Sequence, residues 1–410
     1  MPPTPSAESR SPLPPERRQP ADESSDGGPD QAANEPSGPP RGRWRRRKAA
    51  ARTEEAGRDA FFDNAKYLAI VLVACAHAWE PLRADSRAAM ALYMFVYTFH
   101  MPAFIVISGY FSRGFDLSPR RLRRLVTGVL VPYLVFEVAY AYFRRWSADE
   151  PDYPVNVVNP QFLNWFLIAL FIWRLTTPLW QAVRWPLPIA VGVGLMSSVT
   201  PGIGGNLDLQ RVLQFLPFFV LGLVLRPEHF AWVRRRKVRL LALPVAAAAL
   251  GCAYWAATRL KYQWFFHRES GQELGVDAWV GGSMYLALVG CSLLMSVCFL
   301  AWVPGRRMWF TALGAGTLYG YLLHGFLVKG SVEWDWYGPE WVETPAGMVA
   351  VTLLAAVVIT LLCTAPVRAV FRFVMEPKME WLFRPDPVAQ ARHRVRTEGE
   401  KTPRGTGAGD

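Results

Sequence analysis

The chain has 410 residues, of which 51% are hydrophobic, 13% are aromatic and only 19% are charged, and 17 are Trp. This composition is too apolar for an ordinary soluble protein of this length. The net charge of +12 does not indicate nucleic-acid binding, because the basic residues stand in short clusters between apolar runs, as in cytoplasmic loops of membrane proteins. We therefore expect membrane lipid as a partner, and no nucleic acid.

The N-terminal segment, residues 1–57, is rich in Pro, Ser, Gly, Glu and Arg and has few apolar residues. A segment of this composition buries too little apolar surface to fold. We expect a disordered cytoplasmic arm whose final basic cluster, Arg41–Arg52, lies next to the membrane.

Roughly ten apolar segments follow, each long enough to cross the ~30 Å hydrocarbon core of a bilayer. They lie near residues 61–82, 89–112, 125–146, 162–181, 185–200, 209–226, 239–257, 279–300, 309–328 and 346–370. The loops between them alternate between basic and acidic or neutral, which fits ten helices with both termini in the cytoplasm. The sequence thus predicts an all-α polytopic bundle over residues 58–370, followed by a cytoplasmic, largely disordered polar tail over residues 371–410.

The cysteines all lie inside apolar segments and show no metal-ligand spacing. Small buried hydrophobic side chains account for them, so we expect neither a disulfide framework nor a metal site. They are Cys75, Cys252, Cys291, Cys298 and Cys363.

The first apolar segment, FFDNAKYLAIVLVACAHAWEPL, contains ionisable residues that are costly in hydrocarbon. His77 follows Lys66 by eleven residues, so the two lie within ~20° of one helix face and about 16 Å apart along its axis. Glu80 is three residues beyond His77 and can orient the imidazole, while Asp63 can pair with Lys66. An interior histidine is a suitable general base for a hydroxyl, although a lone membrane histidine is often only a packing residue.

The second segment contains TFHMPAFIVISGYFSR, in which His100 lies deep in the helix. Ser108 and Gly109 indicate close packing against another helix. A polar helix of this kind beside the first one suggests a lined cavity. Further embedded polar residues that are candidates for lining it are Glu137, Arg174 and His324.

The loop SPRRLRRL holds a cluster of arginines, whose planar guanidinium groups suit phosphate. The rule that basic loops face the cytoplasm explains the same cluster equally simply. The arginines are Arg120, Arg121, Arg123 and Arg124.

Four phrases, in order along residues 58–370, resemble the acyltransferase-3 family of integral-membrane acyltransferases, in particular the subgroup described as fucose 4-O-acetylase-like. They are FDNAKYLAIVLVACAHAWEPL, YTFHMPAFIVISGYFSR, NWFLIALFIWRL and LYGYLLHGF. The resemblance implies transfer of an acyl group, usually acetyl, from cytoplasmic acyl-CoA to a hydroxyl of a carbohydrate or glycoconjugate acceptor. Acyl-CoA is then a donor substrate, and no permanently bound cofactor is implied.

The resemblance also implies roles for residues. His77 corresponds to the catalytic histidine, with Glu80 beside it, and Lys66 stands at the donor end, where the family often has Arg. The family's Arg-x-x-Arg motif matches Arg120/Arg123 and Arg121/Arg124 equally well, as a contact for the phosphates of coenzyme A. The remaining residues expected on the donor side are Asp63, Asn64 and Ser108.

Two other functions fit the same polar residues. A transporter or proton-coupled carrier would use them as a relay, and a non-catalytic partner in polysaccharide assembly would need them only for structure. Paired broken helices in inverted repeats, frequent in transporters, are not evident in the sequence. We therefore expect an acyltransferase of the cell membrane, multi-pass and bacterial.

Overall fold

The computed structural model describes residues 59–383, and over this range the chain forms helices and no β-strand. The predicted N-terminal arm lies outside the described residues, as does the tail beyond residue 383. The α-helices are α1 (Ala60–Trp79), α2 (Arg87–Ser112), α3 (Pro119–Ser147), α4 (Trp165–Leu175), α5 (Thr177–Ala182), α6 (Pro186–Ser198), α7 (Leu209–Val224), α8 (Pro227–Val233), α9 (Arg236–Ala256), α10 (Ala278–Trp302), α11 (Thr317–Glu333), α12 (Pro345–Leu362) and α13 (Ala365–Met375).

Each of the predicted apolar segments contains one of these helices, so the all-α membrane fold class is confirmed. Within the described residues, six helices are long and apolar enough to cross a membrane alone: α1, α2, α3, α9, α10 and α12. The pair α7 and α8 is bent by 104°, and the apolar helices around α4 and α6 are shorter. The count of ten spans and the cytoplasmic termini stay predictions.

Helix α1 is largely enclosed by other helices. It begins at a capping residue, Asp59, whose carboxylate accepts a hydrogen bond from the backbone N–H of Phe61 at 3.0 Å. Most of its side chains are buried, and it packs against α2, α11 and α12. The costly polar residues of the first apolar segment therefore face protein rather than lipid.

Outer helices complete the bundle and present apolar side chains outward. Leu240 and Leu241 of α9 and Leu353 and Leu354 of α12 are exposed. A continuous exposed apolar surface of this kind suits contact with lipid. The last helix, α13, crosses the domain boundary predicted at residue 370.

Two glycines allow α2 and α7 to pack with their backbones in contact. A Cβ added at Gly109 would collide with the backbone carbonyl of Phe219, and one added at Gly222 would collide with that of Val106. Small residues at such crossings are typical of membrane helix pairs. The structure thus confirms the close packing predicted from Ser108 and Gly109.

We expect Gly109→Ala to destabilise the protein by about 1–3 kcal/mol, because the backbone at the α2–α7 contact has no room for a methyl group. Gly290→Ala on α10 is the matched control, since a Cβ there meets open space. That variant should be neutral or slightly stabilising. Thermal unfolding in one detergent compares them, and equal midpoints for the two variants would refute the assignment.

Loop contacts define two ends of the bundle. At the first end, Asn64 donates hydrogen bonds to the carbonyls of Pro304 and Arg306 at 2.8 and 2.9 Å, and Arg113 donates one to Leu225 at 2.9 Å. We call it the basic end, because the arginine-rich loops gather there. The opposite end, where α1 finishes, contains the cavity described next and is called the cavity end.

Candidate active site

A cavity of about 460 Å³ opens at the cavity end of the bundle. Residues of α1, α2, α3, α4, α7 and α11 and of the loops between helices form its wall. Both polar and aromatic side chains line it, among them His77, Glu80, Tyr97, His100, Tyr140, Arg144, Tyr153, Phe162, Trp165, Asp208, Arg211, Phe266, Arg268, Tyr321, Lys329 and Glu333. Of the residues singled out in the sequence, the cavity thus brings together His77, Glu80 and His100.

His77 is the first of three polar residues linked in series. Its Nδ1 lies 3.4 Å from Oε2 of Glu80, and Oε1 of the same carboxylate lies 3.1 Å from Nη1 of Arg83. The three are spaced at i, i+3 and i+6, so the last turn of α1 and the 3₁₀ turn after it place them on one face. The guanidinium of Arg83 also contacts the rings of Tyr93 and Tyr262, at 5.0 and 4.1 Å.

This arrangement fixes the orientation of the imidazole. A carboxylate facing Nδ1 favours the tautomer with the proton on Nδ1, which leaves the Nε2 lone pair free to accept a proton. Burial acts to raise the pKa of Glu80, but the hydrogen bonds and charges of His77 and Arg83 outweigh it and lower the pKa to about 2. Glu80 is therefore ionised at neutral pH.

The lowered pKa of Glu80 predicts a pH-dependent contribution to stability. A carboxylate with a depressed pKa stabilises the folded state fully above its unfolded pKa of about 4.5 and loses this contribution as the pH falls towards 2. Wild type should therefore have a higher unfolding midpoint than Glu80→Gln at about pH 5. The margin should shrink between about pH 4.5 and 2, and a margin that persists to the acid limit would contradict the ion pairing.

His324 of α11 lies beside His77. Their ring centroids are 5.7 Å apart, and the ring of Phe162 packs on the other side of His77 at 5.0 Å. Nδ1 of His324 bonds the carbonyl of Gly320 at 2.9 Å. His100 makes the same kind of bond, from Nδ1 to the carbonyl of Val96 at 2.8 Å. Because a carbonyl only accepts, Nδ1 is the donor in both, and both Nε2 atoms are acceptors.

The opposite wall of the cavity carries an ionic cluster at the start of α7. Asp208, which caps α7 with a left-handed φ of 50°, lies 3.1 Å from Nη1 of Arg211 and 3.2 Å from Nε of Arg268. Arg211 also stands over the ring of Trp165 at 4.6 Å and donates to the carbonyl of Phe266 at 3.0 Å. The cluster ties the start of α7 to α4 and to the loop before α10, which closes the cavity on that side.

The residues predicted on the donor side lie at the basic end. Lys66 pairs with Asp63 at 2.7 Å and lies 5.8 Å from the ring of Phe111. Asn64 is fully buried, and its carbonyl oxygen accepts a hydrogen bond from the hydroxyl of Thr311 at 2.7 Å. Asn64 therefore ties α1 to the loop between α10 and α11, and none of these residues reaches the cavity.

Ser108 and Arg174 also lie towards the basic end. The hydroxyl of Ser108 donates to the carbonyl of Phe104 at 2.9 Å. Arg174, in the last turn of α4, donates from Nε to the hydroxyl of Ser112 at 3.2 Å. Arg174 was predicted to line the cavity, but the structure places it near the last turn of α2 instead.

The arginine cluster forms the first turns of α3 on the surface of the basic end. Arg120, Arg121 and Arg124 are exposed. Arg123 is partly covered, donating to the carbonyl of Lys378 at 3.3 Å and lying 5.0 Å from the ring of Phe383. Arg121 lies 3.6 Å from a carboxylate oxygen of Asp116, and all three of the exposed guanidinium groups can be reached from solvent.

Glu137 is buried in α3 behind the cavity wall. Its two carboxylate oxygens accept the backbone N–H of Gln161, at 2.9 and 3.2 Å. Gln161 directly precedes Phe162, whose ring contacts His77. Glu137 therefore positions the loop that covers His77.

Several residues of the site were not predicted. Arg83, which pairs with Glu80 but does not line the cavity, could have been found, because His-x-x-Glu-x-x-Arg repeats the i+3 spacing that identified Glu80. Asp208, Arg268 and Lys329 come from loops and a helix end far away in sequence, and no local pattern points to them.

Comparison with known proteins gives the family. Residues 59–364 match the family model described as an acyltransferase domain of acyltransferase family 3. The chain is also similar to Nodulation protein NolL of Sinorhizobium fredii (strain NBRC 101917 / NGR234), with 24% identity over 296 residues, which cover 66% of this chain and 78% of that protein. No solved structure matches the chain. Since the family match spans most of the chain and includes every cavity residue named above, the chain belongs to the acyltransferase-3 family of integral-membrane acyltransferases.

Proposed function

We propose that the protein transfers an acyl group, usually acetyl, from acyl-CoA to a hydroxyl of a carbohydrate or glycoconjugate, with His77 as general base. The observation that carries the proposal is the contact between Nδ1 of His77 and the carboxylate of Glu80, at the wall of the cavity. A histidine oriented in this way is suited to take a proton from a hydroxyl. Membership of an acyltransferase family supports the enzyme rather than the carrier.

The lining of the cavity supports a sugar as acceptor. Aromatic rings such as Phe162 and Phe266 can stack on the apolar faces of a pyranose. Charged groups such as Arg211 and Glu333 can exchange hydrogen bonds with its hydroxyls. The volume of about 460 Å³ lies in the range of small-molecule sites.

The basic end supports an anionic donor. Exposed guanidinium groups can donate paired hydrogen bonds to the phosphates of coenzyme A; they belong to Arg120, Arg121 and Arg124. Basic loops face the cytoplasm, where acyl-CoA is made, so in a bacterial cell membrane the cavity end would face outward. The pantetheine arm of coenzyme A would then carry the acetyl group along α1, past Lys66, to His77, about 16 Å further along the helix axis.

The proposed reaction is a single acyl transfer. Nε2 of His77 takes the proton of the acceptor hydroxyl as its oxygen bonds to the thioester carbonyl carbon. The C–S bond then breaks, and the leaving thiolate of coenzyme A takes the proton from His77. Glu80 stabilises the imidazolium between these steps. A thioester is already activated, so the residues described here suffice for the chemistry.

The test is acetyl transfer by the purified protein in lipid nanodiscs. Radiolabelled acetyl-CoA is supplied with an acceptor mixture, defined here as the methyl glycosides of glucose, galactose, mannose and fucose. We expect protein-dependent thiol release with label on a glycoside. Absence of acetyl-CoA binding in calorimetry would refute the proposed donor, and thiol release with label on a non-sugar product would refute the proposed acceptor.

A further inference from the structure

One nitrogen beside His77 lacks a partner. Nε2 of His324 is buried and makes no hydrogen bond to any described residue, and the whole side chain is only 2% exposed. A buried polar atom without a partner destabilises the folded state, so such atoms call for an explanation. The mechanism proposed above does not use this nitrogen.

The tautomer of His324 defines what the nitrogen can do. Nδ1 donates to the carbonyl of Gly320 one helical turn earlier, so it keeps its proton. Nε2 of the neutral ring is consequently an acceptor only. It can be satisfied only by an N–H or O–H group that comes close to it.

Before it takes a proton, His77 offers no N–H group to Nε2 of His324. Glu80 favours the proton on Nδ1 of His77, so Nε2 of His77 is an acceptor as well. Two acceptors cannot bond each other, which explains why rings only 5.7 Å apart share no hydrogen bond. Once His77 takes a proton on Nε2, that nitrogen becomes a donor beside the unpartnered acceptor of His324, whose ring centroid is 5.7 Å from that of His77.

We propose that His324 is a positioning residue that accepts a hydrogen bond from Nε2–H of the His77 imidazolium. This inference rests on the proposed function. Glu80 then holds one nitrogen of the imidazolium and His324 the other, so the cation is stabilised from both sides. The proton stays on His77 until the thiolate leaves and takes it.

The test distinguishes a His324 that accepts a hydrogen bond from a His324 that only packs against its neighbours. His324→Phe keeps an aromatic ring without a nitrogen, whereas His324→Gln keeps an acceptor oxygen. We expect His324→Phe to lower kcat for acetyl transfer about tenfold to a hundredfold with little change in KM for acetyl-CoA. His324→Gln should recover most of the lost kcat. The substrates are acetyl-CoA and the acceptor mixture.

Leu327→Ala is the matched control on α11, because this side chain is 40% exposed on the outer surface and should leave kcat unchanged. Thermal unfolding checks that each variant is folded. Wild-type kcat in His324→Phe, or equal losses in His324→Phe and His324→Gln, would overturn the inference while leaving the proposed function intact. Undiminished turnover in His77→Ala would instead overturn the proposed function itself.

Discussion

Replacing His77 with alanine is expected to lower turnover of acetyl-CoA with the acceptor mixture by about 10²- to 10⁴-fold, the usual contribution of a general base. The side chain is almost fully buried at the cavity wall, with Glu80 at Nδ1 and the ring of Phe162 beside it. Neither His100, at the cavity wall, nor His324, beside His77, has a carboxylate partner among the described residues. We therefore expect neither of them to restore full turnover.

Thiol release by the purified variant measures this effect. His229→Ala is the control, because it removes an exposed imidazole on α8 at the basic end. That variant should retain wild-type turnover. A fall of less than tenfold in His77→Ala, with the fold intact, would be incompatible with a catalytic role.

The second large effect is expected at the donor end. Replacing Arg120, Arg121 and Arg124 together with glutamine should raise KM for acetyl-CoA at least tenfold and leave kcat nearly unchanged. The physical reason is that these exposed guanidinium groups would bind phosphate through charge-assisted hydrogen bonds and take no part in the transfer itself.

A substrate control and a variant control isolate the contribution of phosphate. S-acetylpantetheine carries the thioester without phosphates, so the triple variant should use it as well as wild type does. Replacing Arg235, Arg236 and Lys237 with glutamine removes the same charge from another exposed segment of the basic end, at the start of α9. Equal rises of KM in both triple variants would assign the effect to general electrostatics rather than to a phosphate site.

The sequence was sufficient to predict the all-α fold and the polar residues that share one face of α1. Helical spacing alone relates Lys66 to His77 and Glu80 to His77, because an α-helix has a fixed period. The Glu80 carboxylate is indeed 3.4 Å from the imidazole, and Lys66 indeed pairs with Asp63. Local geometry of this kind can be deduced without a tertiary structure.

Contacts between distant segments could not be predicted in the same way. Phe162 contacts His77 because Glu137 accepts a hydrogen bond from the N–H of the residue before it. Asp208 pairs with Arg268, although three helices separate the two residues in the sequence. The sequence identified His324 only as a histidine inside an apolar segment. Its ring centroid lies 5.7 Å from that of His77 because of the way α11 packs against α1. A single sequence does not encode such pairings in any local pattern.

The helix count shows a similar limit. Hydropathy finds apolar segments, but it does not distinguish a full span from a short or bent helix such as α6 or the pair α7 and α8. Buried polar residues also lower the hydropathy of a segment. Helices α4 and α11 carry such residues because they pack against protein as well as lipid. The loops at the two ends of the bundle therefore give firmer information on topology than the span lengths do.

The central claim is that the donor enters at the basic end and the acceptor at the cavity end, with transfer at His77. The most direct test uses vesicles with labelled acetyl-CoA inside and the acceptor mixture outside. Orientation is read from labelling of Arg235→Cys by a membrane-impermeant maleimide. We expect labelled glycoside outside only from protein whose basic end faces the lumen. Product that forms only when donor and acceptor share one side would contradict the account.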